Sequence, residues 1–168
     1  DLATKAWEAM APMGEERGCP GVAVLDGKVY AVGGFNGGIL SSVERYDPGT
    51  DAWEEVAPMA TAREIHAVAV LDGKVYAVGG YSDGVGHLSS VERYDPALNA
   101  WEAVAPMAEE RFMHSVAVLD GKVYAVGGFN GGILSSVERY DPGTDAWEEV
   151  APMATAREIH AVAVLDGK

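Results

Sequence analysis

The sequence predicts an all-β protein built from repeated four-stranded antiparallel sheets, on three observations. First, the phrase DGKVYAVGG occurs at 26–34, 72–80 and 120–128, and Asp-Gly-Lys returns at 166–168. Second, the tryptophans follow the same spacing of 46, 48 and 46 residues, at Trp7, Trp53, Trp101 and Trp147. Third, apolar residues come in short runs rich in Val and Ala, and no helical period extends along the chain.

The first two strands of each repeat form a hairpin, as the second copy illustrates. HAVAVLD (66–72) and KVYAVGG (74–80) are short apolar runs. The Asp-Gly pair between them is the strongest short-range hairpin signal. Gly79 and Gly80 end the second strand, where we expect a positive φ or a close approach to a neighbouring backbone.

The third and fourth strands complete the sheet. SSVERYD (89–95) ends before Pro96, which has no N–H to donate, and AWEAVAPM (100–107) follows after a turn. The first two strands are apolar on both faces, whereas the outer two alternate. Burial on both faces near one edge of a small sheet is what radially stacked sheets require. The pattern therefore predicts the blades of a β-propeller.

Composition excludes some classes of partner. Twelve Lys and Arg against 26 Asp and Glu leave a net charge of −14, which repels phosphate backbones and anionic lipid, so we expect neither nucleic acid nor membrane as a partner. No apolar run reaches the roughly 20 residues of a membrane helix, and the first residues lack the features of a signal peptide. The localisation is unknown; a cytoplasmic one is expected if the protein is natural.

The repeat resembles the kelch motif. A Gly-Gly doublet, a Tyr-Asp-Pro some sixteen residues later, a Trp beyond that and a following Ala-Pro-Met…Arg loop recur together across the chain. The nearest resemblance is to the kelch domains of BTB-kelch substrate adaptors. It implies four-stranded kelch-type β-propeller blades, with the first strand nearest the axis and the Trp-bearing strand outermost. It also implies a peptide-binding loop face.

On this basis residues 1–168 form a single kelch-repeat domain of about three and a half blades. Blades are expected at 18–59, 64–107 and 112–153. An outermost strand at 1–13 and an innermost strand at 158–168 are each expected to belong to a partial blade. Because kelch rings close with six or seven blades, we expect self-association, with a homodimer favoured.

Two stretches, residues 22–74 and 116–168, are identical at every position. Because mutation erases such identity with time, the copying is recent or deliberate. A designed or consensus-built repeat protein is the favoured origin. Recent amplification within a natural gene is the alternative.

Two sets of loop residues are expected on one face. The first set follows the fourth strand and matches pocket positions of the adaptor family at Arg17, Arg63, Glu64, Arg111, Phe112, Arg157 and Glu158. The second follows the Gly-Gly doublet at Phe35, Asn36, Tyr81, Ser82, Asp83, Phe129 and Asn130. His87 matches a further pocket position, which Ile39 and Ile133 occupy in the other copies.

Each set also has a structural interpretation. The arginines are equally suited to hold loop carbonyls and carboxylates, and the aromatic residues can fill the junctions between blades. Glu64 and Glu158 can simply balance the neighbouring arginines. If they are exposed, they turn away acidic peptides and favour a basic or mixed one.

Catalytic, cofactor and metal sites are not predicted. His66, His114 and His160 recur on innermost strands, but no carboxylate or thiol accompanies them at ligand spacing, so a structural role is expected. The loops nearly copy one another, whereas catalysis needs unlike groups in one place. We therefore expect a non-enzymatic protein- or peptide-binding or scaffold module. The alternative is a kelch-type enzyme of the sialic-acid mutarotase or metal-oxidase kind.

Overall fold

The computed structural model describes residues 6–168, and the described strands form three four-stranded antiparallel sheets. Blade 1 contains β1 (Gly21–Leu25), β2 (Lys28–Val32), β3 (Val43–Asp47) and β4 (Ala52–Val56). Blade 2 contains β5 (Ala67–Leu71), β6 (Lys74–Val78), β9 (Val91–Asp95) and β10 (Ala100–Val104), with a small hairpin of β7 (Tyr81–Ser82) and β8 (Gly86–His87). Blade 3 contains β11 (Ser115–Leu119), β12 (Lys122–Val126), β13 (Val137–Asp141) and β14 (Ala146–Val150).

The strands within each blade lie in sequence order, which confirms the predicted blade architecture. The fourth strand of blade 2 ends at Val104, earlier than the predicted range 100–107, because Pro106 follows and cannot donate to a ladder. The described residues include no helix of the length and apolar character needed to cross a membrane.

The Asp-Gly pairs form the predicted hairpin turns. In blade 2, Leu71 pairs with Lys74 across Asp72 and Gly73, whose φ angles are 50° and 70°. Two successive positive φ values define a type I′ turn, whose twist matches that of the flanking strands. The Asp-Gly pair at 166–167 has the same angles, although no strand flanks it.

The Gly-Gly doublet at the end of β6 allows the backbone to lie close to the loop that precedes β5, as its position in the sequence predicts. At Gly80 the φ angle is 97°, and an added Cβ would lie 2.6 Å from the Cβ of His66 and 2.7 Å from the carbonyl oxygen of Glu64. Only glycine fits such a contact. The end of β6 therefore presses directly on the loop that precedes β5.

The core lies between the blades. One cluster joins Tyr30 and Val32 of blade 1 to Val75, Ala77 and Tyr94 of blade 2. A second cluster repeats this contact between blades 2 and 3, where Tyr76 and Tyr140 lie with ring centroids 5.9 Å apart, as do Tyr30 and Tyr94. Innermost strand β5 lies between β1 and β11. The burial of blade 2 on both faces follows from this position.

The repeated tryptophan attaches each blade to the one before it. Trp101 donates its indole N–H to the carbonyl oxygen of Ala57 at 2.9 Å, and Asn99 Oδ1 accepts from the N–H of Ala57 at 3.0 Å. Tyr94 donates to the same Asn99 oxygen. Trp147 makes the same bond to Ala105. These bonds give the outer strands a structural reason for their Trp and Tyr.

The two predicted partial-blade strands differ from the structure. Residues 6–13 and 158–168 form no strand; the rest of the predicted strand at 1–13 lies outside the described residues. A strand needs a hydrogen-bonded neighbour, and neither segment has a middle strand beside it. The first segment nevertheless takes the place of a fourth strand, because Trp53 donates to Ala11 just as Trp101 donates to Ala57.

Candidate binding face

Arg63 belongs to the framework beneath the loop face. Its side chain is fully buried and donates to the carbonyl oxygens of Gly79 at 2.8 Å and Ser90 at 3.1 Å. It also pairs with Glu92 Oε1 at 2.7 Å. Loss of hydration lowers the pKa of Arg63, and the Glu92 carboxylate opposes this effect.

The partner carboxylate ties the preceding loop to the blade. Glu92 accepts hydrogen bonds from the backbone N–H groups of Ala60 at 2.7 Å and Thr61 at 3.0 Å. Those residues follow β4 of blade 1, whereas Glu92 lies on β9 of blade 2. The arginine–glutamate pair therefore fixes the loop between two blades to the second of them.

Two other arginines form the same kind of buried ion pair with a glutamate of the blade that follows them. Arg17 pairs with Glu44 and Arg111 with Glu138, and both arginine side chains have no exposed surface. Arg157 is exposed and has no ion pair within residues 6–168. Arg17, Arg63 and Arg111 were expected on the binding face, but their guanidinium groups are out of reach of a surface ligand. These three arginines therefore do not belong to the candidate binding surface.

The two predicted loop sets are brought together by backbone pairing. Glu64 and Tyr81 exchange two hydrogen bonds of 3.0 Å, and Phe112 and Phe129 exchange two of 3.1 and 2.8 Å. Sequence reasoning treated the residue after Arg and the residue after Gly-Gly as separate sets. In the structure they lie opposite each other in short β-bridges.

Four ring side chains meet where blades 2 and 3 join, and we call them the aromatic cluster: Tyr81, His87, Phe112 and Phe129. The His87 ring lies 5.5 Å from Phe112, 5.7 Å from Phe129 and 5.9 Å from Tyr81 between centroids. Tyr81 and Phe112 meet edge to face at 6.0 Å. All four are half-buried, so the cluster presents a rigid, partly exposed aromatic surface.

The cluster depends on a loop that is two residues longer than its copies. In blade 2, β7 and β8 pair Tyr81 with His87, and Gly84 and Gly86 adopt φ values of 77° and 94° in the turn. In blade 1, Phe35 faces Ile39 instead, and Gly18 stands where Phe112 stands in the cluster. The spacing of 48 residues, against 46 elsewhere, was the signal in the sequence for this difference.

The remaining predicted site residues divide between surface and interior. Asn36, Asp83 and Asn130 are exposed on loop tips, while Glu64 and Glu158 are half-buried. Ser82 was expected on the binding face but is 7% exposed, because it alternates inward on β7 beside Tyr81. Asn36 donates to the Glu15 carboxylate at 3.0 Å.

A cavity of 250 Å³ adjoins the aromatic cluster through His87. Its wall includes Val85, which is 72% exposed, together with Leu88, Ser89 and the Glu110 side chain. Sequence reasoning missed Val85 and Glu110. Val85 belongs to the longer loop of blade 2, and Glu110 belongs to the loop before blade 3. Only the tertiary structure brings these two loops together.

Two of the repeated histidines, His66 and His114, directly precede the innermost strands β5 and β11. His66 and His114 are 7% exposed, and neither ring nitrogen of His66 makes a hydrogen bond within the described residues. Burial, and then the charges of Arg63 and Arg111, lower the pKa of both to about 3. At His114 the backbone carbonyl of Arg111 opposes part of this effect. No group of three or more metal-ligating residues was found in residues 6–168.

Comparison with known proteins agrees with the architecture. The family model for the kelch motif matches residues 16–60, 66–108 and 110–154, which together make up most of the chain. The chain belongs to the kelch-repeat family. Its three blades are kelch blades, with the Gly-Gly, Tyr-Asp-Pro and Trp elements in the structural roles described above.

Two further comparisons extend this result. The F-box/kelch-repeat protein At5g03020 of Arabidopsis thaliana is 37% identical over 54 residues, which cover 30% of this chain and 16% of that protein. The solved structure of YjhT superposes with a TM-score of 0.79 at 19% identity, covering 91% of this chain and 57% of that one. The chain thus spans less than two thirds of either protein, and the second likeness concerns the fold alone.

Loss of a buried kelch arginine should destabilise the blades strongly. Arg63→Met leaves Glu92 buried without its cation, so we expect the free energy of unfolding to fall by about 3–5 kcal/mol. Urea titration followed by circular dichroism measures this change. Arg157→Met is the matched control at the same repeat position, and its exposed side chain predicts no change; equal effects would contradict the assignment.

Buried histidine should make stability depend on pH. The folded pKa of His66, about 3, lies below the unfolded value of 6.5, so the unfolded chain binds protons first as the pH falls. Stability from this group is full above pH 6.5 and declines towards pH 3, by ~1.4 kcal/mol per pH unit. We expect His66→Gln to reduce the stability difference between pH 7 and pH 5.

His87→Ile is the control for the pH experiment, because Ile39 and Ile133 occupy the equivalent positions and His87 is half-buried on the loop face. Urea titrations of parent and both variants at the two pH values give the comparison. An unchanged difference in His66→Gln would show that protonation of His66 does not destabilise the fold.

Proposed function

We propose that the protein is a non-enzymatic binding module whose aromatic cluster takes a peptide segment of a partner protein. The observation that carries this proposal is the half-buried group of Tyr81, His87, Phe112 and Phe129 beside a 250 Å³ cavity. Rigid aromatic side chains next to a small pocket are typical anchors in protein recognition. The cluster occurs where the repeats differ, so it supplies a single site on a nearly repeated face.

Charge favours a basic partner. Glu64, Asp83 and Glu110 surround the cluster and its cavity, and the chain carries a net charge of −14. A Lys or Arg side chain placed over an aromatic ring gains electrostatic attraction from the ring face. The partner segment therefore combines a basic residue with an apolar or aromatic side chain that fits beside Val85.

The alternative is a kelch-type enzyme of the sialic-acid mutarotase or metal-oxidase kind. Such an activity requires an acid, a base or metal ligands of unlike chemistry in one cleft. The aromatic cluster combines one imidazole, a phenol and two phenyl rings, a composition that supports recognition. A catalytic rate with a sialic acid or an oxidisable alcohol would favour the enzyme instead.

We further infer a functional likeness to the BTB-kelch adaptors and a designed or consensus-built origin of the chain. The first inference rests on the loop positions occupied by Phe112, Tyr81 and His87. The second rests on the identity of residues 22–74 and 116–168.

Phe112→Glu tests the binding site. Glu occupies the equivalent positions 64 and 158, so the fold should tolerate the change while the cluster loses the ring that contacts both Tyr81 and His87. We expect a peptide selected from a basic, aromatic-containing library to bind at least about tenfold more weakly, a loss typical of an interface anchor. Fluorescence anisotropy of the labelled peptide measures the affinity.

Phe35→Glu is the control at the second loop position, since Phe35 is 45% exposed and lies in blade 1 away from the cluster. It should leave the peptide affinity unchanged. Equal losses in both variants, or no peptide selected from the library, would refute the assignment of the site.

We also propose that the chain self-associates, with a homodimer favoured. Val22 and Val24 on β1 are 58% and 63% exposed, whereas their copies Val68 and Val70 pack in the junction between blades 1 and 2. Leu165, 75% exposed, repeats Leu25, which belongs to that same junction. A second copy can therefore place Leu165 against Val22 and Val24 and reproduce a contact that already exists within the chain.

Light scattering after size-exclusion chromatography tests this association over a range of concentrations. We expect the mass of two chains for the parent and of one chain for Val24→Lys, because a charge replaces a buried apolar contact. Val85→Lys, an exposed valine on the loop face, should remain a dimer. A parent that stays monomeric at all concentrations contradicts the proposal, and peptide binding is measured separately.

A further inference from the structure

Residues 154–168 have the same sequence as residues 60–74, but the two copies have different neighbours. The earlier copy contains the loop that leads into blade 2, then β5 and the turn after it, and its partners within the blade come from β6 and β9. Within residues 6–168, the later copy has no second or third strand beside it. The earlier copy therefore shows which groups the later one is suited to bind.

The later copy lies on blade 3 as the earlier copy lies on blade 1. The N–H of Gly128 donates to the carbonyl oxygen of Arg157 at 2.8 Å, and the N–H of Gly34 donates to that of Arg63 at 2.9 Å. An added Cβ at Gly127 would lie 3.0 Å from the His160 ring, so the two segments are in close contact. Blade 3 therefore holds the later copy in the position of an innermost strand.

The turn that leads from this segment towards a second strand is already formed. Leu165 and Lys168 exchange backbone hydrogen bonds of 2.9 and 3.0 Å across the Asp-Gly pair at 166–167. Residues 161–165 nevertheless form no strand, because a strand needs a hydrogen-bonded neighbour. Their backbone is therefore placed to accept an antiparallel strand, as the edge of an open sheet is.

Arg157 lacks the carboxylate that its copy in the earlier segment binds. Arg63 pairs with Glu92 on β9 at 2.7 Å, and the same carboxylate accepts hydrogen bonds from the N–H groups of Ala60 and Thr61. Arg157 is exposed and has no ion pair within the described residues. A partner of the later copy therefore needs a glutamate at the same place on its second strand.

The face of blade 3 beside this segment is apolar and partly open. Tyr124 and Val126 are half-buried, whereas their copies Tyr76 and Val78 are 1% and 0% exposed in the junction with blade 3. In that junction the Tyr76 ring lies 5.9 Å from the ring of Tyr140, which belongs to the third strand of the following blade. A tyrosine two residues after the glutamate would contact Tyr124 in the same way.

We propose that residues 154–168 and this face of blade 3 bind a two-stranded segment of another polypeptide, with the sequence pattern of β12 and β13. Its first strand pairs antiparallel with residues 161–165, in the register that joins β5 to β6. Its second strand brings a glutamate to Arg157 and a tyrosine to Tyr124. Main-chain pairing at a sheet edge supplies affinity, and the side chains select the sequence. The surface shares no residue with the aromatic cluster and requires no second copy of the chain.

A synthetic peptide of residues 122–141 is the probe, because it contains both strands and the loop between them. We expect the labelled peptide to bind the full chain, as measured by fluorescence anisotropy. Hydrogen exchange at the amides of residues 161–165, followed by NMR, should slow when these groups enter a ladder. A peptide of the same composition in scrambled order should not bind.

Arg157→Met tests the ion pair that the proposal requires. Its exposed side chain leaves the fold unchanged, but the variant should bind the peptide at least about tenfold more weakly, because the peptide's glutamate loses its cation. A peptide with Glu138→Gln should show a similar loss with the parent and little further loss with the variant. A peptide with Asp141→Asn removes the same charge from a partly exposed pair with Lys122 and should bind nearly as tightly as the original.

Val24→Lys is the control for position and for self-association. Val24 is 63% exposed on blade 1, so this change should leave the affinity for the peptide unaltered. Failure of the peptide to bind, equal affinity of the scrambled peptide, or unchanged affinity in Arg157→Met would overturn the proposal. Exchange at residues 161–165 that stays fast with the peptide bound would overturn it as well.

Discussion

Each blade holds the loop that leads into it through a buried arginine–glutamate pair, and the position of the candidate binding face depends on that pair. Arg63 and Glu92 bind four backbone groups between them, on both sides of a blade boundary. Removing two charges from water is unfavourable unless hydrogen bonds satisfy them. Here both terminal nitrogens of Arg63 have partners, whereas its Nε–H has none among the described residues. The loop residues on either side, Glu64 towards the loop face and Ile65 towards the axis, consequently have little freedom.

Near-identical repeats give a loop face whose blades resemble one another. The proposed binding site lies where two loops differ from their copies. The loop after β6 is longer by two residues, and the loop before blade 3 carries Phe112 in place of glutamate. Either change alone would leave an isolated aromatic residue, as at Phe35. Together they place three rings with centroids within 5.9 Å of the His87 ring across a blade junction.

The residues that pack at a blade junction are apolar, and they remain exposed where no neighbouring blade covers them. The same valines are covered in one blade and open in another, because identical sequence occupies different positions in the stack. Exposed apolar surface of this kind is the basis of the proposed self-association. The exposed valines and the loop-face cluster are different residues, so the proposed association and the proposed peptide recognition can be tested independently.

Local features of the chain were readable from sequence: the four strands of each blade, the type I′ turns at Asp-Gly, and the loop positions of Tyr81 and Phe112. These depend on residues close in sequence, whose preferences act within a few bonds. Tertiary structure decided the burial of Arg63, His66 and Ser82 and the contact between His87 and Phe112. It also decided the absence of strands at 6–13 and 158–168. Each depends on which segment packs beside another, and an identical repeat becomes buried, exposed or unpaired according to the neighbour it finds.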